Sequence, residues 1–208
     1  MDSIFNLKMT DLKSKAANQG FESAYAINQN ASEGLLVGPE FTGDPNGVGK
    51  GREVNLQLGS SIYAAAANCI GFIHCHLDDG TTYKVFSFSD IYALAQIASI
   101  STRPKTEFAI YVTTSSGTFA LKVNNKILLK NKKDFMDVGW KEFEDKFDKL
   151  VKKEYTYDKQ KLGFMKFINA MPYNIGNPGI DMYEKVNGTW NKLALASNGN
   201  NVTSTPCN

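Results

Sequence analysis

A chain of 208 residues with 42% hydrophobic and 21% charged residues can bury one good-sized core and has the composition of an ordinary globular protein. Its formal net charge of +2, from 23 basic and 21 acidic residues, supplies no basic footprint for nucleic acid, and three cysteines, Cys69, Cys75 and Cys207, suit no disulfide framework. No apolar run approaches the 18 or so residues of a membrane span, and the charged start, residues 1–16, lacks the core of a signal peptide, so a cytoplasmic protein, or a domain of a longer polypeptide, is expected.

Phe5, Met9, Leu12 and Ala16 recur at helical spacing and predict an amphipathic helix over 2–18, closed by Asn18-Gln19-Gly20. Residues 21–29 predict a strand, with Glu22, Ala24 and Ala26 on one face and Phe21, Tyr25 and Ile27 roughly on the other. Glu22 would then share its face with small side chains that leave room for a ligand. A second strand is expected over 35–38, then a loop over 39–51 rich in Gly, Pro, Asn and Asp. That loop is not a phosphate cradle, because Lys50 is followed by Gly51 rather than Ser or Thr; a loop on a rigid scaffold can instead line a cleft. Alternation of polar and apolar residues over 53–58 predicts a half-buried strand.

Residues 69–99 contain His74 and His76, the only two histidines of the chain. The apolar run 69–73 predicts a buried strand, and side chains two apart on a strand point to one face, so the two imidazoles converge. Cys75 faces the other way, into the core, as a small hydrophobe. After a turn at Asp78-Asp79-Gly80 come Ser87 and Asp90, then Ile91, Leu94, Ala95 and Ala98 at helical spacing, which places Asp90 in a helix's first turn. Two histidines and one aspartate are enough for a catalytic zinc, which takes three protein ligands and leaves the fourth position to water. Asp78 is a rival third ligand. Ser87-x-x-Asp90 is equally the pattern of an N-cap with an acidic residue three positions on, and the two roles are compatible.

Further on, β-branched and aromatic runs over 106–114 and 118–123 flank Ser115-Ser116-Gly117 and predict a hairpin. The lysine-rich tract 126–133 is expected to be a solvated loop or helix entry. Amphipathic helices are predicted over 135–151 and over 162–171, the latter stopped by Pro172. A loop over 174–179 leads to a second hairpin, 180–186 with 189–194, about Asn187-Gly188. The polar end, 197–208, is expected to fray.

His74-x-His76, ten residues, then Ser87-x-x-Asp90 resembles the zinc signature His-x-His-x7-Ser-x-x-Asp of the JAB/MPN (JAMM) metalloproteases. That family carries an upstream Glu-x-x-Gly-x-(apolar) strand, matched best by Glu22 to Ile27. The spacer here is longer by three residues, Leu77 stands where Pro usually follows the second His, and Tyr25 replaces the Gly. The resemblance covers residues 22 to about 123. It implies an α+β fold, a cytidine-deaminase-like mixed sheet flanked by helices, with a core over 1–130 and a helical and hairpin extension over 131–208 packed on the same domain. It further implies zinc held by His74, His76 and Asp90, Ser87 as donor to the oxyanion, and hydrolysis of an amide bond in a peptide or protein substrate.

A base is still needed to take a proton from the attacking water and return it to the leaving amine. Glu22 is preferred for this, with Glu53 as its competitor. Other His-x-His chemistries fit less well: an amidohydrolase barrel needs about 250 residues and more histidines, and a nucleobase deaminase needs His-x-Glu and a Pro-Cys-x-x-Cys, of which Pro206-Cys207 is only a fragment. The alternative is a non-catalytic binding module of the MPN kind, although metal-free scaffold members usually lose the ligands that this sequence retains.

Overall fold

The computed structural model describes residues 3–30, 34–55, 69–100, 108–171 and 179–207. Its elements are α1 (Ser3–Asn18), β1 (Ser23–Asn30), β2 (Gly34–Thr42), β3 (Cys69–Cys75), α2 (Phe88–Ile100), β4 (Ala109–Thr113), β5 (Thr118–Val123), α3 (Lys126–Leu150), α4 (Tyr157–Ala170), β6 (Ile180–Val186), β7 (Thr189–Leu195) and β8 (Val202–Pro206). The fold is α+β. One mixed sheet runs β2-β1-β3-β4-β5-β6-β7-β8, antiparallel throughout except where β3 lies parallel to β4, the two being joined through α2. A parallel pair needs such a crossover, and it puts the N-terminus of α2 at the carboxyl end of β3, where ligands of α/β units gather.

Side-chain alternation divides the core between two faces. On one, Phe5 of α1 meets Tyr111 of β4 and Gln19, just past α1, reaches Cys75. On the other, α2, α3 and α4 interlock through aromatic rings: Phe88 stacks on Phe143 and lies tilted to Phe147, and Phe167 packs edge-on against both Phe88 and Phe147. Pairing of β3 with β4 depends on Gly71, where a Cβ would fall 1.6 Å from the Ala109 carbonyl oxygen.

Several predicted boundaries move, each for a local reason. Residues 39–42, expected in a loop, continue β2 and pair with β1, Ser23 opposite Thr42; Pro39 is accommodated because β2 is an edge strand and can spare a donor. Residues 53–55 are not a strand, and 56–58 lie outside the described residues. The lysine tract opens α3, because the Asn125 side chain accepts from Ile127 N and Leu128 N and caps the helix there. Lys132 within it is buried, not solvated, and burial pushes its ammonium down to about 7. α3 kinks at Gly139, whose φ of −113° and ψ of 29° leave the helical region.

α4 starts at Tyr157 rather than 162. The polar end does not fray: β8 pairs with β7, its side chains largely exposed. The division expected near residue 130 falls inside α3, and β6, β7 and β8 continue the sheet that carries the histidines. Residues 106–107 of the first predicted hairpin and 174–178 of the predicted loop lie outside the described residues. No helix among the described residues is long and apolar enough to cross a membrane.

Candidate functional site

β3 is buried along its whole length, and its alternation sends His74 and His76 to the α2 side and Cys75 to the α1 side. There Cys75 Sγ accepts from Ser23 N at 3.3 Å, and burial pushes its thiol up to about 12. It is an inert core residue. His76 lies one residue past β3, yet its N–H reaches Thr113 O at 3.1 Å, so the pairing with β4 extends to its backbone as well.

Both rings are oriented by main-chain carbonyls. His74 Nδ1 lies 2.9 Å from Tyr111 O and His76 Nδ1 2.9 Å from Tyr83 O. A carbonyl can only accept, so each Nδ1 carries a proton, and each neutral ring keeps its lone pair on Nε2. The two Nε2 atoms face each other at 3.1 Å. Asp90 completes the triangle, with Oδ1 3.1 Å from His74 Nε2 and Oδ2 3.4 Å from His76 Nε2. Two lone pairs and a carboxylate aimed at one point require a cation between them, either a proton or a metal.

The electrostatics follow the same geometry. Burial opposes charge on His76, but Asp90 and Glu22 outweigh it and push the ring up to about 9. Burial likewise works against the Asp90 anion, and His74 and His76 overcome it, holding the carboxyl well below the usual carboxylate range. As metal ligands the three groups fit. One donor atom from each lies within 4.8 Å of the others, and a tetrahedral zinc with bonds of about 2.0 Å has ligand-to-ligand edges of roughly 3.3 Å. Donation of Nδ1–H to a carbonyl is also the usual outer support of a metal-bound imidazole.

Glu22 arrives by register. Ala24 pairs with His74 across β1 and β3, so Glu22, two residues earlier and just before β1, comes beside His76. Its Oε1 is 4.0 Å from His76 Nε2, beside the cluster but not among the groups whose donor atoms all lie within 4.8 Å of one another. Oε2 accepts from Val54 N at 3.2 Å, and burial pushes the carboxyl up. The loop after β2 supplies that N–H and is itself tied down. Glu22 N donates to Arg52 O at 2.8 Å and Gly43 N to Glu22 O at 2.8 Å. Gly43 has no alternative, since a Cβ there would lie 2.2 Å from Arg52 O.

Ser87 and Asp90 form a reciprocal cap on α2. Asp90 N donates to Ser87 Oγ at 3.2 Å, while Ser87 N and Ser87 Oγ donate to Asp90 Oδ2 at 2.6 and 2.8 Å. The capping pattern and the candidate ligand are thus one structure, and the cap aims Asp90 at the histidines. Asp78, the rival ligand, is exposed and outside the cluster. Glu53, the rival base, is exposed on the rim.

A cleft of about 500 Å³ opens onto Glu22, His74, His76, Ser87 and Asp90. Lys50, Glu53 and Val54 of the glycine-rich loop form part of its wall, as do Glu144, Asp148 and Lys153 from α3 and just beyond it. Sequence reasoning missed the three main-chain groups that orient the site, Tyr111 O, Tyr83 O and Val54 N. Every residue carries such groups, so no residue type marks them. Neither a family model, nor a curated protein, nor a solved structure matches this chain.

Proposed function

We propose that the protein is a zinc-dependent hydrolase of amide bonds in a peptide or protein substrate, built on a JAB/MPN-like core. The observation that carries this reading is the convergence of two Nε2 lone pairs, each fixed by a carbonyl behind its ring, on the Asp90 carboxylate. His74, His76 and Asp90 would hold the metal. When bound, zinc supplies Lewis acidity that polarises a carbonyl and brings a water's pKa toward neutrality. Two imidazoles and a carboxylate also suit iron(II); a second buried carboxylate beside the cluster, Glu22, favours hydrolysis, which needs a base.

Glu22 is suited to that role in three respects. Oε1 faces the cluster while Val54 N–H holds Oε2. Burial raises its pKa, toward the range in which a carboxylate both accepts and returns a proton near neutral pH. Its strand neighbour Ala24 is too small to block approach of a substrate carbonyl. Ser87 can donate to an oxyanion only by turning its hydroxyl away from Asp90 Oδ2, so its first role is to cap α2 and steady Asp90.

The test is Glu22→Gln, assayed on amide substrates found by screening the wild-type protein. Zinc affinity and melting temperature should stay as in the wild type while turnover falls by a factor on the order of a hundred or more. Equal turnover in the two proteins would remove Glu22 from the mechanism. Protein that takes up no zinc would instead favour the non-catalytic scaffold.

A further inference from the structure

Residues 77–86 join His76 to Ser87 and carry the carbonyl, Tyr83 O, that accepts from His76 Nδ1–H at 2.9 Å. These residues belong to no helix or strand. Two distant helices grip them. From α3, Asp148 accepts from the Tyr83 hydroxyl, and the Tyr83 ring packs edge-on against Phe147 at 5.2 Å. From α4, Gln160 reaches in with a side chain 0% exposed whose amide bonds only main-chain groups. Its Oε1 accepts from Lys84 N at 2.8 Å, and its Nε2 donates to Lys153 O at 3.0 Å and Tyr155 O at 3.3 Å.

We infer that Gln160 is a positioning residue for the metal centre: by clipping Lys84 to the α3–α4 junction it holds the neighbouring Tyr83 carbonyl against His76 and so aims His76 Nε2 at Asp90. That role deepens the metal-site reading and rests on it. A buried amide leaves unpaired backbone groups when removed, at a substantial cost, so simple destabilisation has to be separated from loss of aim. The chain's having two histidines makes this tractable. His74 draws its carbonyl from β4 and His76 from the spacer, so one ring serves as the internal control for the other.

The experiment follows the two imidazole Nδ1–H protons by 15N-edited NMR, with calorimetric zinc titration, in the wild type, Gln160→Met and Gln160→Glu. Ile168→Ala, a buried change on the same helix, controls for lost stability. In Gln160→Met the His76 Nδ1–H signal should broaden or vanish while that of His74 persists, and zinc should bind roughly ten- to a hundredfold more weakly. Gln160→Glu is isosteric and, protonated by burial, keeps the acceptor and one donor; it should restore the His76 signal, and it serves as the informative variant if Gln160→Met does not fold. Ile168→Ala should leave both signals and the affinity in place. Persistence of the His76 signal in Gln160→Met, or its equal loss in Ile168→Ala, would overturn the assignment. A wild-type protein that binds no zinc would overturn the metal reading and the metal-centre role with it, whereas the His76 signal separately decides whether Gln160 orients the ring.

Discussion

His74 and His76 are the same residue type, two positions apart and nearly equally buried, yet the molecule holds them by different means. The His74 ring is fixed by Tyr111 of the adjacent strand, so its partner comes with the sheet. The His76 ring is fixed by Tyr83 in an irregular segment, which is kept in place by Asp148 and Gln160, 65 and 76 residues from the spacer positions they bond. One imidazole is secured by nearest-neighbour pairing, the other by contacts from α3 and α4. A cluster read from a short motif can therefore be contacted by helices far outside it, and here Asp148 and Gln160 bond the segment that carries the Tyr83 carbonyl.

Perturbing the sheet should produce the larger effect. Gly71→Ala places a Cβ against the Ala109 carbonyl, backbone that cannot swing aside, and parts β3 from β4. Stability should fall by about 3 kcal/mol or more, measured by denaturant unfolding; the loss should be present without zinc and larger with it, because displacing Tyr111 from behind His74 weakens the binding that would stabilise the native state. A near-neutral result would show that the two strands are not committed to this spacing, and that His74 has no firmer footing than His76.

Capping of α2 tests the proposed third ligand, Asp90, on a smaller scale. Ser87→Ala removes the hydroxyl that bridges to Asp90 and should cost about 1 kcal/mol of stability. Turnover decides what else Ser87 does, because an oxyanion donor is worth about 3 kcal/mol in the transition state, roughly a hundredfold in rate. Full turnover in a protein that melts earlier would confine Ser87 to the cap.

What the sequence disclosed follows the same division. Groups whose chemistry sits in the side chain were legible: His74 and His76 by their spacing, Asp90 by its place in a first helical turn, and Glu22 by its strand phase, which put it beside small residues. What those side chains lean on was not legible, because the Tyr83 and Tyr111 carbonyls and the Val54 N–H are main-chain atoms brought close only by folding. Lys132 shows the limit of composition. Its tract looks solvated, and burial of one lysine in it is decided by how α3 packs. Gln160 looks like any polar residue on a helix, and only its three main-chain partners distinguish it. The start of α3 was recoverable, since Asn125 is an ordinary N-cap.

The claim that His74, His76 and Asp90 form a metal centre is tested most directly by titrating zinc into chelator-treated protein by calorimetry, beside Asp90→Ala and Asp78→Ala. One zinc per wild-type chain is expected, with binding lost in Asp90→Ala and unchanged in Asp78→Ala, because Asp90 touches both histidines and Asp78 is exposed outside the cluster. No zinc uptake by the wild-type protein, or a loss of affinity in Asp78→Ala alone, would contradict it.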